Sequence, residues 1–202
     1  MTRRAPDRDA GAIALGFRVK SGRAIAVAMS GSPTAPAIVL RREVALCDDR
    51  LEATRQPYHD GFGTAQADQQ EIVRLSAIVE RCAQTSIASF LEADGLAGRT
   101  CCGAALVVGS IIDPAMVANP HIRAHANEGR LFRTVVERAL EQHGLAVTVV
   151  VESELAAGAA RALQRTDAQI KRVVAAFGEM VGAPWRADEK VAATAAWMAL
   201  KK

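Results

Sequence analysis

Two uninterrupted apolar segments in the second half of the chain constrain the fold more than any other feature of the sequence. ALVVGSII, within residues 104–112, and LAVTVVV, residues 145–151, have the length of strands but lack polar alternation. Such segments are typical of strands that are covered on both faces, as in parallel sheets. The pattern between them predicts a helix from Pro120 to His143 that stops at Gly144. We therefore expect a right-handed strand–helix–strand crossover.

Alternating apolar residues predict three antiparallel strands earlier in the chain. Alternation over residues 13–19 and again over 25–29, with Ser21-Gly22 between them, predicts a hairpin. A third strand is predicted within residues 38–46. Residues 48–63, which contain RQPYHDGFG, have the composition of a loop, and the spacing after them predicts a long helix over 64–94.

The order of elements predicts the fold class. Two further helices are expected, one opening at Thr166 and one after Pro184-Trp185. The order β-β-β-α-β-α-β-α predicts an α/β fold with a mixed five-stranded sheet and helices on both faces. A chain of 202 residues that is 50% hydrophobic can bury one sizeable core. We expect a disordered N-terminus over residues 1–12 and a single domain over 13–202.

Composition excludes few functions. A net charge of +3, from 25 basic and 22 acidic residues, permits nucleic acid as a partner without favouring it. No run of 18 apolar residues is present, so no membrane span is expected. The four cysteines form no CxxC pair, which favours reduced structural thiols and a cytoplasmic location.

The segment NPHIRAHANEGRLFR, residues 119–133, carries polar groups where a helix normally has its apolar stripe. At about 100° per residue, His121, His125 and Glu128 project within about 60° of the Phe132 direction, so they extend the apolar stripe of the same helix. Asn119 suits the N-cap and Pro120 the first helical position. A helix that follows a parallel strand begins near the carboxyl end of that strand, where ligands tend to bind. We therefore predict a polar pocket there, close to Ser110 and Asp113.

The predicted pocket combines acid–base groups with groups that suit an anion. His125, Glu128 and Asp113 are the candidate catalytic residues, with Glu128 orienting or charging His125. The helix N-terminus and two basic residues of the first hairpin favour phosphate or carboxylate. The candidate ligand-binding residues are Lys20, Arg23, Tyr58, His59, Ser110, Asn119, His121, Glu152 and Asp188.

A divalent metal ion is the candidate cofactor. His121 and His125, four residues apart, present two nitrogens on one helical face, and Glu128 could add an oxygen. The spacing differs from the zinc-protease motif, in which the glutamate lies between the histidines. The three residues are weak candidates for a metal site.

The succession of elements over residues 13–202 resembles the ribonuclease H-like fold, in particular its resolvase-type branch. That resemblance implies nucleic-acid chemistry by two metal ions held by carboxylates, one of them on the first strand. The first strand here, GFRVKSG, carries Arg18 and Lys20 and no carboxylate, which argues against ordinary nuclease activity. Later acidic residues match the resolvase pattern loosely; they are Asp113, Glu152, Glu154, Asp188 and Glu189.

The combination of KSGRA, RQPYH, NPHIRAHANEGRLFR and PWRADEK is similar to that of an uncharacterised bacterial protein family, and that resemblance implies no activity. The residues favour a ribonuclease H-like domain whose pocket binds a phosphate-bearing ligand or nucleic acid and could hydrolyse it. The alternative is a non-enzymatic, degenerate member of the fold that acts as a protein-interaction module. The alanine-rich C-terminal helix is compatible with a homodimer contact.

Overall fold

A computed structural model describes residues 11–61 and 63–200. Five strands form one mixed sheet in the spatial order β3-β2-β1-β4-β5. The strands are β1 (Ile13–Lys20), β2 (Arg23–Ser32), β3 (Ala35–Ala45), β4 (Cys101–Val108) and β5 (Val147–Val151). The predicted α/β class with a five-stranded mixed sheet is therefore confirmed. The predicted disordered N-terminus lies, except for residues 11 and 12, outside the described residues.

The described residues also form five α-helices and two short 3₁₀ helices, and three of the α-helices follow the last strand. The α-helices are α1 (Gln69–Leu91), α2 (Pro120–Gln142), α3 (Glu152–Leu163), α4 (Asp167–Val181) and α5 (Ala187–Ala199). The 3₁₀ helices span Glu52–Arg55 and Pro114–Met116. The sequence pattern did not predict α3, because half of ESELAAGAARAL is alanine or glycine and only two leucines mark its apolar face. Within residues 11–61 and 63–200, no helix combines the length and hydropathy that a bilayer span requires.

Strand pairing brings two carboxyl ends to one edge of the sheet. β1 pairs with β2 and β2 with β3 in antiparallel register, whereas β1 with β4 and β4 with β5 are parallel. The predicted crossover through α2 is thus confirmed. Since β1 and β4 run in the same direction, Lys20 and Val108 end their strands on the same side of the molecule. The hairpin turn at Ser21-Gly22 lies on that side too.

Alternate residues of β1 divide the core into two layers. Leu15 and Phe17 face α1 and α2, and the Phe17 ring packs edge-on against Phe90 of α1 at 5.7 Å. Ala14 faces the opposite side, where Trp197 of α5 is completely buried. This alternation follows from the two-residue period of a strand. It also places Arg18 on the α5 side of the sheet.

Gly16 allows α5 to lie directly on β1. A Cβ atom at this position would stand 2.0 Å from the carbonyl oxygen of Ala192 and 2.4 Å from the nitrogen of Ala196. Both atoms belong to the backbone of α5, so a side-chain rotation could not relieve the clash. A glycine in a strand often marks such a close approach of another backbone.

We expect Gly16→Ala to lower the free energy of unfolding by about 3 kcal/mol, because α5 must move away from the sheet. Gly129→Ala is the matched control, since nothing lies within 4 Å of its added Cβ. Within α2 that exchange should raise the free energy of unfolding by up to about 1 kcal/mol. Urea denaturation measures both variants. Equal stability of the two would contradict the close packing of α5 on β1.

Candidate functional site

The N-terminus of α2 is fixed by its own sequence. The side-chain oxygen of Asn119 accepts hydrogen bonds from the backbone nitrogens of His121 (3.0 Å) and Ile122 (3.1 Å), and Pro120 occupies the first turn. The predicted start of the helix is therefore right. Because the Asn119 oxygen caps the helix, Asn119 acts here by orienting α2 and the histidines that follow.

A buried carboxylate lies about two turns further along α2. Glu128 is 1% exposed, and its Oε1 lies 2.7 Å from Nδ1 of His59. Its Oε2 lies 3.4 Å from Nδ1 of His125 and makes no hydrogen bond. A buried charge is costly unless it is paired and hydrogen-bonded, so half of this carboxylate is left without its usual compensation.

Three imidazoles converge beside this carboxylate. Nε2 of His59 lies 3.2 Å from Nδ1 of His121, and the three ring centroids of His59, His121 and His125 are 4.4–5.1 Å apart. One nitrogen from each ring lies within 4.8 Å of the other two. We name these three residues the histidine cluster.

The loop that carries His59 is held in place by backbone hydrogen bonds. The nitrogen of His59 donates to the oxygen of Gln56 (2.9 Å), and the nitrogen of Gln66 donates to the oxygen of Tyr58 (2.8 Å). His59 also bridges to Ala65 in antiparallel fashion. His59 is buried and Tyr58 half-buried. The segment RQPYH, predicted as part of a loop, is therefore held in place and brings His59 to Glu128.

The polar side chains of α2 that were predicted to point inward differ in their exposure to solvent. Glu128 is fully buried, His121 is partly buried and the His125 side chain is half exposed. Ala124, in the same two turns, is 3% exposed, so the covered face of the helix passes through Ala124 and Glu128 and leaves His125 at its margin. Asp113 is exposed, and its carboxylate accepts a hydrogen bond from the nitrogen of Ala115 (3.1 Å), which caps the short helix at 114–116.

A cavity of about 470 Å³ opens at the edge where β1 and β4 end. We name it the basic cavity. Its lining contains Ser21 of the hairpin turn, Gly109 and Ser110 after β4, and Gly129 and Phe132 of α2. Its cationic lining residues are Arg18, Lys20, Arg23 and Arg55. Lys20, Arg23 and Ser110 were predicted as ligand-binding residues, whereas Arg18 and Arg55 were not, although Arg55 opens the segment RQPYH.

Arg18 occupies the centre of the sheet beneath this cavity. It is 7% exposed, donates to Oε2 of Glu152 at 2.5 Å, and donates weakly to the oxygen of Val107 at 3.4 Å. Its Nε lies 3.9 Å from a carboxylate oxygen of Asp188, at the start of α5. Asp188 also pairs with Lys20 at 2.9 Å. Glu152 and Asp188, predicted to bind ligand, are thus engaged with cations of the chain itself.

Arg55 brings a cation from the loop that precedes His59 to the lining of the basic cavity. Its guanidinium donates to Asp49 at 2.9 Å, and this hydrogen bond holds the pKa of Arg55 above its usual range. The Cγ atom of Arg55 would lie 3.3 Å from a Cβ added to Gly22, which has φ +77°. Gly22 therefore allows both the left-handed turn conformation and the approach of Arg55.

Three of the four cysteines are poorly suited to nucleophilic chemistry. All four are free thiols, and burial raises the pKa of Cys47, Cys82 and Cys101. A raised pKa leaves less thiolate, the reactive form. The expectation of unpaired structural thiols agrees with this arrangement.

We expect His59→Ala to lower the free energy of unfolding by about 3 kcal/mol, because Glu128 would keep its buried charge but lose its hydrogen-bonded partner. His143→Ala is the matched control, since His143 is exposed at the end of α2. That exchange should change stability by less than about 0.5 kcal/mol. Chemical denaturation gives both values. A loss below about 1 kcal/mol in His59→Ala would contradict the dependence of Glu128 on His59.

Solved structures establish the fold of this chain. No protein-family model and no curated protein sequence matches it. The structure of RuvC from Thermus thermophilus in complex with a Holliday junction substrate aligns with a TM-score of 0.53 and 9% identity, covering 93% of this chain and 91% of that one. A second Thermus thermophilus RuvC structure gives 0.52 and 9%, covering 92% of each chain. The chain therefore has the ribonuclease H-like fold seen in these RuvC structures.

Proposed function

We propose that the protein binds a phosphate-bearing ligand in the basic cavity. The observation that supports this most directly is the convergence of four cationic side chains on one cavity, whose lining holds no carboxylate among residues 11–61 and 63–200. They come from the hairpin of β1 and β2 and from the loop that precedes His59. Positive groups that converge in a cleft concentrate the field and attract anions.

The ion pairs around the cavity orient its cations and partly neutralise them, and Arg23 keeps the loosest pairing. The carboxylates of Glu152, Asp188 and Asp49 hold cavity cations from outside the lining. Arg23 is half exposed and lies 3.9 Å from Asp188, beyond hydrogen-bonding distance. Ion pairs exposed to solvent contribute about 0–1 kcal/mol, so a phosphate with two negative charges can compete for these cations.

The size and position of the cavity suit a small phosphate ester. A volume of about 470 Å³ lies within the usual range for small-molecule sites. The cavity lies at the carboxyl ends of two parallel strands, the side on which open α/β sheets bind ligands. Gly109 and Ser110 follow β4 there and bring backbone groups and a hydroxyl to the lining.

Nucleic acid is the second source of phosphate that we consider. The similar Thermus thermophilus RuvC was solved with a Holliday junction substrate, but that likeness concerns the fold. The phosphodiester of a nucleic acid presents the same anionic oxygens as a phosphate ester, so the two sources are separated by experiment.

Arg18 makes two-metal nuclease chemistry an unsuitable activity for this site. Such chemistry needs carboxylates that share cations at the centre of the sheet. Here a buried guanidinium stands on β1 and is paired with Glu152 and Asp188. A metal pair at this place would meet a fixed positive charge and carboxylates that are already engaged.

We expect Lys20→Ala and Arg55→Ala each to weaken phosphate binding by about tenfold, since each removes a charge-assisted hydrogen-bond donor. Isothermal titration calorimetry measures the affinity for inorganic phosphate and for nucleoside mono- and triphosphates. Fluorescence anisotropy measures the affinity for single-stranded, duplex and four-way-junction DNA. A steep salt dependence is expected for any DNA complex.

Arg138→Ala is the control for the loss of a positive charge. Arg138 is exposed on α2 and does not line the cavity. Its removal should leave all affinities within a factor of two. The proposal fails if none of these probes binds to the wild-type protein, or if Arg138→Ala weakens binding as much as Lys20→Ala does.

We further expect no Mg²⁺-dependent cleavage of single-stranded, duplex or four-way-junction DNA, because Arg18 neutralises the carboxylates that would hold the ions. Denaturing gel electrophoresis after prolonged incubation tests this. Cleavage that disappears in Glu152→Gln and Asp188→Asn would show that the two carboxylates do hold metal and would refute the role given to Arg18.

The other expectations from the sequence stay predictions. A role as a protein-interaction module without a ligand has no better support than the phosphate-binding role proposed for the basic cavity. A homodimer and a cytoplasmic location likewise stay predictions.

A further inference from the structure

We propose that His59, His121 and His125 together bind one zinc ion, and that the buried Glu128 carboxylate positions His59 for this task. The site is separate from the basic cavity, and the inference does not depend on the proposed phosphate ligand. Zinc is the preferred ion because three imidazole nitrogens form a borderline donor set, which suits zinc better than magnesium or calcium.

The spacing of the nitrogens agrees with tetrahedral zinc. Zinc–nitrogen bonds of about 2.0–2.1 Å place neighbouring ligand nitrogens about 3.3 Å apart. Nε2 of His59 and Nδ1 of His121 are 3.2 Å apart. A nitrogen of His125 completes a group in which all three ligand atoms lie within 4.8 Å of one another. A modest rotation of the half-exposed His125 ring would bring its nitrogen to ligand distance.

Glu128 gives His59 the tautomer that a metal ligand needs. The carboxylate accepts the hydrogen of Nδ1 at 2.7 Å, so Nε2 keeps its lone pair and points at His121. A carboxylate that holds a ligating histidine in this way is common around zinc, and it fixes the ring and raises the basicity of the ligand nitrogen. In the sequence-based hypothesis Glu128 was itself a ligand, whereas the structure groups His59 with the two helical histidines.

The charge of Glu128 provides an independent reason for a cation. The carboxylate is 1% exposed, and its Oε2 has no hydrogen-bond partner within the part of the chain that the structure describes. Among residues 11–61 and 63–200, its ion-pair partners are the imidazoles of His59 and His125. A positive charge beside the carboxylate, on an imidazole or on a bound cation, would compensate it, and protonating more than one of the adjacent imidazoles would make them repel each other. A dication held by neutral imidazoles compensates the carboxylate without that repulsion.

The exposure of the cluster leaves one coordination position accessible. His59 is buried, while His121 is partly buried and His125 half exposed, so the ion would enter from the solvent side. Three protein ligands with a fourth position open to water characterise catalytic rather than structural zinc sites. The basic cavity adjoins the histidine cluster along α2, where the lining residue Gly129 follows the positioning residue Glu128.

The test uses full-length protein without a histidine tag. After incubation with Zn²⁺ and removal of free ion, elemental analysis should find one zinc per chain. With Co²⁺ as a spectroscopic probe, the protein should acquire the visible absorption of a tetrahedral nitrogen-ligated ion. His121→Ala and His125→Ala should weaken affinity more than about 100-fold, beyond the effect of losing a supporting partner. Glu128→Gln should weaken it by about 10–100-fold and leave the Co²⁺ spectrum tetrahedral.

His143→Ala is the matched control, because His143 is the one histidine of the chain outside the cluster. It should bind zinc as the wild type does. His121 and His125 are partly exposed, so their alanine variants are expected to fold, and circular dichroism checks this. The proposal is overturned if the wild type holds less than stoichiometric zinc at micromolar concentration, if Co²⁺ gives no tetrahedral spectrum, or if His121→Ala and His143→Ala bind equally well.

Discussion

The buried carboxylate of Glu128 is the constraint on which the site depends. At 1% exposure its charge requires partners within the protein, and the partner that donates a hydrogen bond is His59, 69 positions earlier in the chain. This pair ties the loop between β3 and α1 to the middle of α2. The loop then delivers Arg55 to the basic cavity and His59 to the two helical histidines. One long-range interaction therefore organises both the cation-rich rim and the histidine cluster.

Arg18 carries a second buried charge. It places a cation on the sheet where the resemblance in fold implies carboxylates that hold metal ions. The guanidinium lies on the central strand and engages Glu152 and Asp188. Carboxylates that could share metal ions thereby become counter-ions of the protein's own cation. Gly16, two residues earlier, lets α5 approach β1 closely enough to place Asp188 beside Arg18. The sheet edge is thus suited to anions, and the metal-binding potential lies in the histidine cluster.

Sequence patterns predicted the sheet because its strands have unambiguous periods. The alternation over residues 13–29 and the apolar segments at β4 and β5 predicted a mixed five-stranded sheet, which the structure confirms, whereas the spatial order of the strands comes from the structure. Helix α3 was not predicted, because its many alanines do not distinguish a helix from other segments of small residues. The polar stripe of α2 indicated Glu128 and its neighbours, since helical periodicity is local. The partnership of His59 with Glu128, and of Arg18 with Glu152, could not be predicted, because it depends on how distant segments pack.

The central claim is that the carboxylate of Glu128 orients three imidazoles around a cation. The most direct measurement is a crystal structure of the tag-free protein grown with zinc, with anomalous diffraction recorded on both sides of the zinc absorption edge. The account predicts one strong anomalous peak between the rings of His59, His121 and His125, at about 2.0–2.1 Å from three nitrogens, with Glu128 still bonded to His59. Absence of a peak there, or zinc bound directly by Glu128 with His59 turned away, would contradict it.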